Sequence, residues 1–189
     1  YVHTFDKCFF MPSDLTAGLE YNRDRLKDNM WGYNRHTDQT VNIYSAFLQN
    51  EWRNDHWGIL IGGRLDKHNM VDNVIFSPRA NLRFNPTQNI NLRLSYSSGF
   101  RAPQAFDEDM HIENVGGTVA MIERAKDLKE EKSQSFSVSA DMYHRFGAFQ
   151  TNLLIEGFYT RLTDVFVLGK PYDRGDGILV KTRSNGPGA

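Results

Sequence analysis

The sequence predicts an all-β chain folded as an antiparallel up-and-down meander, and three observations support this fold class. Apolar and polar residues alternate with a period of two along most of the chain, as they do in strands with one apolar face. The connections alternate between tight turns and long loops, and aromatic residues concentrate beside the tight turns. A meander of this kind has short turns at one end and large loops at the other.

The predicted strands follow one another with the same alternation. In the first, Leu15, Leu19 and Tyr21 share one face with Ala17, and polar residues occupy the other face. Residues 39–52 and 148–162 alternate less cleanly, but they are rich in β-branched and aromatic side chains, so we expect strands there too. Clear alternation marks the remaining strands, over residues 57–66, 77–85, 90–97 and 135–142.

Two kinds of connection separate these strands. Tight turns are expected at three places, 53–56 (RNDH), 85–88 (NPTQ) and 146–147 (FG). Long connections are expected at four places, 27–38, 68–76, 100–132 and 163–177. Because the two kinds alternate, all the tight turns fall at one end of the predicted sheet.

The first tight turn also predicts a strand register. A four-residue turn brings the apolar faces of its two flanking strands together in three pairs: Trp52 with Trp57, Leu48 with Ile61, and Tyr44 with Leu65. Aromatic side chains then mark the short-turn end of the sheet: Trp52, Trp57, Phe84, Phe146 and Phe149.

Composition and motifs exclude several function classes. The net charge of −1 gives no field that would attract a polyanion, so we expect no nucleic-acid partner. The single cysteine, Cys8, excludes an internal disulfide framework. The chain lacks a nucleophile elbow, a phosphate-binding glycine loop, an HExxH motif and paired cysteines. We therefore expect no enzyme, no catalytic residue, no metal site and no cofactor.

The alternating pattern leaves two kinds of barrel open. No apolar run approaches the roughly 20 residues of a membrane-spanning helix, but membrane barrels cross with alternating strands that such a scan misses. The length of the strands and the aromatic residues at one end favour a transmembrane β-barrel. The alternatives are a soluble β-barrel or sandwich that binds a small apolar ligand, and a purely structural or adhesive surface protein.

Two motifs carry a family resemblance. SYSSGFRAPQAFDE ends one strand, and DLKEEKSQSFSVSADMY begins the next after a long loop. Together they resemble the C-terminal half of the barrel of TonB-dependent outer-membrane receptors. The GFRAP motif at 99–103 matches the family signature fully. The second signature departs at Ala125, Lys126 and Glu130, where the family has Asn, Pro and Pro, so its local turn differs.

The resemblance implies a fold, a location and partners. The family barrel has 22 strands around an N-terminal plug, and we count eight or nine strands here. Residues 1–189 would be an internal fragment of one such barrel domain, without the plug or the closing C-terminal strand. The implied location is the outer membrane, and the implied partners are its lipid, TonB through the absent plug, and an imported small-molecule chelate. Open strand edges could let the isolated fragment self-associate.

The resemblance further implies that a receptor of this kind imports a scarce ligand, an iron-siderophore being favoured over cobalamin, haem, copper or a glycan. Its long loops would face outside and contact that ligand. The candidate contact residues on these loops are Arg101, Gln104, Asp107, Glu108, Asp109, His111, Glu113, Trp31, Tyr33, Arg35 and His36. These side chains could equally be solvated loop residues without a ligand.

A second group of candidates lies on the polar face of the predicted strands. Arg64, Arg79, Arg83 and Arg93 would each be costly in a dry interior, so they favour a wet or plug-filled lumen. A symmetric turn at 68–76 would place Arg64 opposite Arg79. Their partners could be plug carboxylates, an anionic ligand in passage, or the lumen-facing acids of the chain itself: Glu20, Asp66 and Asp141.

Overall fold

The computed structural model describes residues 1–105, 113–115 and 118–188. Thirteen strands and one short 3-10 helix, Trp31–Tyr33, make up the fold. In chain order the strands are β1 (Val2–Cys8), β2 (Met11–Met30), β3 (Arg35–Arg53), β4 (Trp57–His68), β5 (Ile75–Thr87), β6 (Ile90–Arg101), β7 (Glu113–Val115), β8 (Thr118–Arg124), β9 (Glu131–Phe146), β10 (Phe149–Thr163), β11 (Phe166–Leu168), β12 (Tyr172–Asp173) and β13 (Leu179–Asn185). No helix in these described ranges is long and apolar enough to cross a membrane.

The main sheet confirms the predicted antiparallel meander. Eight strands lie side by side in the order β1-β2-β3-β4-β5-β6-β9-β10, and every neighbouring pair is antiparallel. All seven predicted strand segments coincide with these strands, except that Ala148 belongs to the turn before β10. The three predicted tight turns occur between β3 and β4, β5 and β6, and β9 and β10, and a fourth, at Phe9 and Phe10, joins β1 to β2.

The predicted long connection at 27–38 is wrong. β2 and β3 continue to pair through this segment, up to Met30 opposite Arg35, and only residues 31–34 lie outside the two strands. Salt bridges hold the extension, from Arg25 to Asp38 at 3.2 Å and from Arg35 to Asp28 at 2.8 Å. The hairpin is polar on both faces, so it carries none of the alternation that predicts a strand.

The predicted register of the first tight turn is also wrong, by two residues. Trp52 lies opposite Ile59 instead of Trp57. The same shift applies to the two other predicted pairs: Leu48 lies opposite Gly63, and Tyr44 opposite Lys67. Asn54 explains the shift, since its side-chain oxygen accepts hydrogen bonds from the backbone N–H groups of His56 and Trp57, at 2.9 and 2.7 Å. The turn is thereby centred one residue later along the chain, and residues 54–56 lie between the two strands. A shift of two leaves every side chain on its predicted face.

The long loops after β6 and β10 build a second, smaller sheet that the sequence did not predict. Its strands run in the order β11-β13-β8-β7, with β12 paired to β13. β8 and β13 pair in parallel, which departs from the meander. These strands are short and come from distant parts of the chain, so local alternation carries no signal for them.

The buried residues gather at the long-loop end. Val71, Ile75 and Ala102 are buried together and pack against Phe100. Met121 and Val180, from the paired strands β8 and β13, are also buried. Over most of the main sheet, by contrast, the apolar side chains are exposed, and Leu19 reaches 87%. The sheet therefore has no hydrophobic core of its own.

Candidate functional site

One face of the main sheet forms a continuous apolar band. Cross-strand neighbours carry the band from strand to strand: Ile59 lies opposite Leu82, Leu82 opposite Leu94, and Leu94 opposite Val138. Leu94 is 52% exposed and Val138 57% exposed. A soluble barrel would enclose this surface, whereas here nothing in the described chain covers it.

Two rows of aromatic side chains border the apolar band. At the short-turn end, Phe10 stacks on Trp52 with ring centroids 5.8 Å apart, and Trp57 stacks on Phe84 at 4.2 Å. Phe146 and Phe149, which face each other across the last turn, continue this row. The predicted aromatic end is thus a feature of the structure.

The second aromatic row was not predicted. Tyr21 stacks on Tyr44 with ring centroids 4.8 Å apart, and Tyr96 packs against Phe136 at the same distance. Tyr44 and Trp52 lie on one strand, and a stretch of that length spans about 26 Å, or about 20 Å once a strand tilt of about 40° is allowed for. This spacing is close to the apolar band of about 25 Å in outer-membrane barrels.

The opposite face is polar, and Arg64 is its best-connected cation. The Arg64 guanidinium donates to Glu20 at 2.9 Å, to Asp66 at 2.8 Å and to the Ser45 hydroxyl at 2.7 Å. Ser45 in turn donates to Asp66 at 2.6 Å, and Asp66 is only 3% exposed. Of the predicted alternatives for Arg64, pairing with acids of the same chain is therefore the one that the structure contains.

The other three polar-face arginines differ from Arg64. Arg64 lies opposite Ser77, so the predicted Arg64–Arg79 pair is wrong, because β4 and β5 are offset relative to a symmetric turn. The like-charged pair on this face is Arg83 opposite Arg93. The Arg93 Nε donates to Asn91 at 2.9 Å. Neither Arg79 nor Arg83 forms a hydrogen bond or an ion pair with the described part of the chain.

A cleft of about 660 Å³ opens at the long-loop end, between the start of β3 and the residues from β8 onward. Arg35 and His36, two of the predicted contact residues, line it. His36 Nδ1 donates a hydrogen bond to Asn29 Oδ1 at 3.0 Å. Trp31, which is 78% exposed, packs edge-on against the His36 ring at 4.8 Å. Tyr33 is half-buried in the 3-10 helix beside them.

Sequence reasoning missed the opposite wall of this cleft. The missed residues include four charged ones: Glu123, Arg124, Lys126 and Arg174. Arg174 lies 4.0 Å from Glu123 and 2.5 Å from Asp176, and its guanidinium lowers the pKa of the Asp176 carboxyl. β8 supplies Glu123 and Arg124 but falls within a predicted loop, so no pattern placed them near Arg35. Among the described lining residues, cationic side chains outnumber acids.

The remaining predicted contact residues take different positions. The Arg101 guanidinium lies 5.5 Å from the centre of the Phe166 ring. Gln104 faces the buried His68, with 3.4 Å between Gln104 Oε1 and His68 Nε2. Glu113 begins β7. Four predicted residues, Asp107, Glu108, Asp109 and His111, lie outside the described residues.

Hydrogen bonds around the Gln39 side chain connect the second sheet to the main sheet. Gln39 Oε1 on β3 accepts hydrogen bonds from the Ala105 backbone at 2.9 Å and from Arg124 at 2.7 Å. Arg124 also donates to the Pro103 carbonyl at 2.9 Å. Pro103 belongs to the GFRAP motif, so the motif contributes a backbone acceptor that holds β8 above the main sheet.

His68 lies fully buried at the end of β4, beyond the second aromatic row. Its Nδ1 accepts a hydrogen bond from the Met70 N–H at 3.0 Å, which places the ring proton on Nε2, facing Gln104. Burial lowers the pKa of His68, although Gln104 and Asp66 oppose that effect. Within the described residues no group of three or more His, Cys, Asp or Glu side chains is arranged to hold a metal ion.

Comparison with known proteins gives relatives of one kind. The chain is 24% identical over 188 residues to the probable hemoglobin and hemoglobin-haptoglobin-binding protein 3 of Haemophilus influenzae, a match that covers 98% of this chain and 16% of that protein. Its fold is similar to that of the siderophore receptor PirA from Pseudomonas aeruginosa, with a TM-score of 0.79, 16% identity, and coverage of 98% of this chain and 36% of PirA.

A second solved structure is similar in fold: a mutant of the ferric enterobactin receptor PfeA from Pseudomonas aeruginosa, in complex with enterobactin. The TM-score is 0.73 at 18% identity, with all of this chain and 31% of PfeA covered. The chain thus spans only a part of the length of each relative. The family described as "TonB dependent receptor-like, beta-barrel" matches residues 2–184. This chain belongs to the TonB-dependent receptor β-barrel family.

Proposed function

We propose that this chain forms part of the wall of an outer-membrane receptor that imports an iron-siderophore. The observation that carries the proposal is the two-faced main sheet. Its apolar face, which includes Leu94 and Val138, carries two aromatic rows at about the spacing of a bilayer's apolar band, and its other face carries arginines. In this arrangement residues 1–189 are a segment of one barrel domain, whose edge strands β1 and β10 pair with further strands of the same wall.

The outer cleft is the part of this chain that we assign to the ligand. Among the described residues that line it, Arg35, Arg124, Lys126 and Arg174 are cationic and Glu123 is acidic, while Asp28 and Asp176 pair with Arg35 and Arg174 from outside the lining. An excess of cations attracts an anionic chelate, and the exposed Trp31 ring beside the cleft offers a stacking surface for an aromatic one. One relative is described as a siderophore receptor and another as a ferric enterobactin receptor, which agrees with a ligand of this chemistry.

Energy for import would come from TonB acting on a part of the receptor outside these residues. The chain itself supplies no catalytic group in the proposal, so it acts as a receptor and not as an enzyme. Outer-membrane lipid would cover the apolar band. The polar face would line the interior of the barrel.

Uptake by cells tests the proposal. The full-length receptor is expressed in a strain without its own siderophore receptors, and cells take up 55Fe delivered as ferric enterobactin or as haemin. We expect TonB-dependent uptake of the ferric siderophore. The double substitution Lys126→Glu and Arg174→Glu should lower that uptake about tenfold, because it reverses the charge of one cleft wall. Arg25→Gln, a change at an exposed salt bridge whose two residues do not line the cleft, is the matched control.

Two results would contradict the proposal. Uptake of haemin alone would exclude the siderophore as ligand while leaving the receptor class intact. Recovery of the receptor in the soluble fraction without detergent would exclude the membrane location itself.

A further inference from the structure

Cationic side chains follow the second aromatic row on the apolar face of the main sheet. Tyr159 lies opposite Phe136 and so extends that row onto β10. Side chains two residues apart share a face of a strand, so Arg161 comes directly after Tyr159 on this face. On β2, Arg23 follows Tyr21 in the same way. Between the two aromatic rows, the described strands β2 to β6, β9 and β10 carry no Asp, Glu, Lys or Arg on this face. Charge on this face therefore begins where the apolar band ends.

The main sheet splits between β5 and β6 at the level of the second aromatic row. The pairing of β5 with β6 ends at Arg79 and Ser97, and beyond this point β5 pairs with β4 and β6 pairs with β9. The Asn85 N–H donates to the chain just before β4, so the even-numbered residues of β5 direct their backbone groups toward β6. Pro78 is the next even-numbered position, and proline has no N–H to donate. The ladder between the two strands therefore stops there.

A cavity of about 540 Å³ lies at this split. Phe76 and Tyr96 form an apolar edge that borders the apolar band. The opposite edge lies beyond the aromatic row and is polar, and it includes Lys132, Gln134 and Arg161. The cavity thus joins a hydrocarbon surface to a group of hydrogen-bond donors.

The described residues that line the cavity include two cations and one acid. Lys132 Nζ lies 3.0 Å from the Glu130 carboxylate. Arg161 is exposed and forms no hydrogen bond or ion pair with the described part of the chain. Gln134, which lies between Arg161 and Ser98 in the sheet, adds neutral donors. A guanidinium, an ammonium group and neutral donors around one cavity suit a phosphate, whose oxygens can accept hydrogen bonds from all of them.

The two edges of the cavity together favour a lipid over a free anion. A free phosphate would use the polar edge and leave Phe76 and Tyr96 without an apolar neighbour. A lipid carries its charged headgroup and its hydrocarbon chains on one molecule. The boundary between headgroup and chains lies at the depth of the aromatic rows in membrane proteins, which is the depth of this cavity.

We propose that this cavity, which we term the wall cavity, binds the phosphate group of an anionic membrane lipid. The Arg161 guanidinium and the Lys132 ammonium group contact the phosphate, and the hydrocarbon chains lie on the apolar band beside Tyr96. The inference rests on the proposed function in one respect, the contact of the apolar face with lipid. It adds one saturable site for a headgroup to the general covering of the band by hydrocarbon.

Native mass spectrometry of the full-length receptor tests the wall cavity. The receptor is purified in detergent, freed of co-purified lipid and titrated with phosphatidic acid or phosphatidylcholine. Phosphatidic acid ends in a phosphate monoester, whereas choline covers the phosphate of the second lipid and cancels its charge. We expect one tightly bound phosphatidic acid, with an affinity at least about tenfold higher than that of phosphatidylcholine. Inorganic phosphate in about tenfold molar excess over the lipid should not displace it.

Substitutions then ask which part of the cavity binds the lipid. Lys132→Gln with Arg161→Gln should lower the affinity for phosphatidic acid about tenfold, because it removes both charged donors. Ser98→Phe keeps the charges but fills the cavity that Ser98 lines, and it should lower the affinity to a similar extent. Arg25→Gln with Lys27→Gln is the matched control, since it removes two cations from the same face outside the cavity. Heat-modifiable migration in SDS gels confirms that each variant has folded.

Three results would overturn the wall cavity. Equal affinity for the two lipids would show that the headgroup charge is not recognised. Displacement by inorganic phosphate would assign the cavity to free anions. An equal loss of affinity in the control variant would show that any cation on this face serves as well as Lys132 and Arg161.

The uptake and lipid-binding experiments fail independently. A receptor that prefers phosphatidic acid as expected but imports no ferric siderophore would refute the proposed ligand and keep the wall cavity. Normal uptake together with equal binding of the two lipids would do the reverse.

Discussion

At the scale of single residues, the arginines of the polar face differ in whether the described chain supplies them with an acidic partner. Arg64 donates three hydrogen bonds, two of them to acids, and one of those acids, Asp66, is almost fully buried. When a buried carboxylate loses its cationic partner, the free-energy cost of burying the charge remains, and the attraction that offset this cost is lost. Arg64 should therefore contribute more to the free energy of unfolding than an exposed arginine with one partner does.

Arg64→Gln should destabilise the protein by about 1–3 kcal/mol, the range expected when a charged hydrogen-bonded group is lost beside a buried acid. Arg25→Gln removes an exposed salt bridge and should cost less than about 1 kcal/mol. Urea unfolding in lipid vesicles measures both free energies. Equal effects of the two substitutions would show that the Arg64 network contributes no more than a surface pair.

His68 gives a pH dependence with a definite sign. Its pKa is lower in the folded protein than the ordinary value of about 6.5, so the unfolded chain binds the proton first as the pH falls. Stability is therefore full above about pH 6.5 and falls as the pH drops toward the folded pKa, by at most about 1.4 kcal/mol per pH unit for one proton. Unfolding between pH 7.5 and 5.5 measures the loss.

His68→Gln should remove this part of the pH dependence, because glutamine does not titrate, while the other five histidines remain. A variant with the same pH profile as the natural sequence would assign the dependence to other groups.

At the scale of elements, the close approach of β3 and β4 depends on a glycine. A β-carbon at Gly62 would lie 2.5 Å from the Gln49 Cβ and 2.9 Å from the Leu48 carbonyl oxygen, so alanine there must push the two strands apart. Gly62→Ala should destabilise the protein by about 1–3 kcal/mol. At Gly32, in the 3-10 helix, the added methyl group meets nothing within 4 Å, so Gly32→Ala is the matched control. Urea unfolding measures the free energies of unfolding of both variants, and we expect only Gly62→Ala to lower this value. If Gly62→Ala left the free energy of unfolding unchanged, the proposed crowding between β3 and β4 would be wrong.

The sequence predicted the strands that alternate and missed those that do not. β4, β5, β6 and β9 were placed because one face of each is apolar, and that signal is local. The polar extension of the β2–β3 hairpin lacks it, since salt bridges such as Arg35–Asp28 hold that region. β8 and β13 pair across a long stretch of chain, and neither carries a signal of its partner.

The candidate site was predictable to a similar extent. Side-chain face follows from period two, so Arg64, Arg79, Arg83 and Arg93 were placed on one face, whereas Arg53, which pairs with Asp14, was not singled out. The register of neighbouring strands decides which arginines face each other. The hydrogen bonds of the Asn54 side chain shift the β3–β4 register by two residues, and an offset at the next loop shifts the β4–β5 register by two. The charged wall of the outer cleft depends on β8, so it could be found only from the three-dimensional structure.

At the scale of the whole molecule, the main sheet is stable only where its two faces meet different surroundings. An exposed apolar band of this extent is unfavourable in water, because hydrocarbon contact is worth about 25 cal/mol for each Å² removed from water. In lipid the same band is buried at no further cost, and the aromatic rows lie at its borders. The polar face, which carries Arg79, Arg83 and Arg93, then needs polar surroundings.

The sidedness of β6 tests this account most directly. With Cys8→Ser, single cysteines are placed in turn at six consecutive positions, from Leu92 to Ser97, and labelled with a fluorophore in the receptor reconstituted into lipid vesicles. Nitroxide lipids should quench the labels at Leu92, Leu94 and Tyr96 and leave those at Arg93, Ser95 and Ser97 unquenched. Quenching by nitroxide lipids that shows no alternation, or that is stronger at positions 93, 95 and 97, would contradict the assignment of the apolar face to lipid.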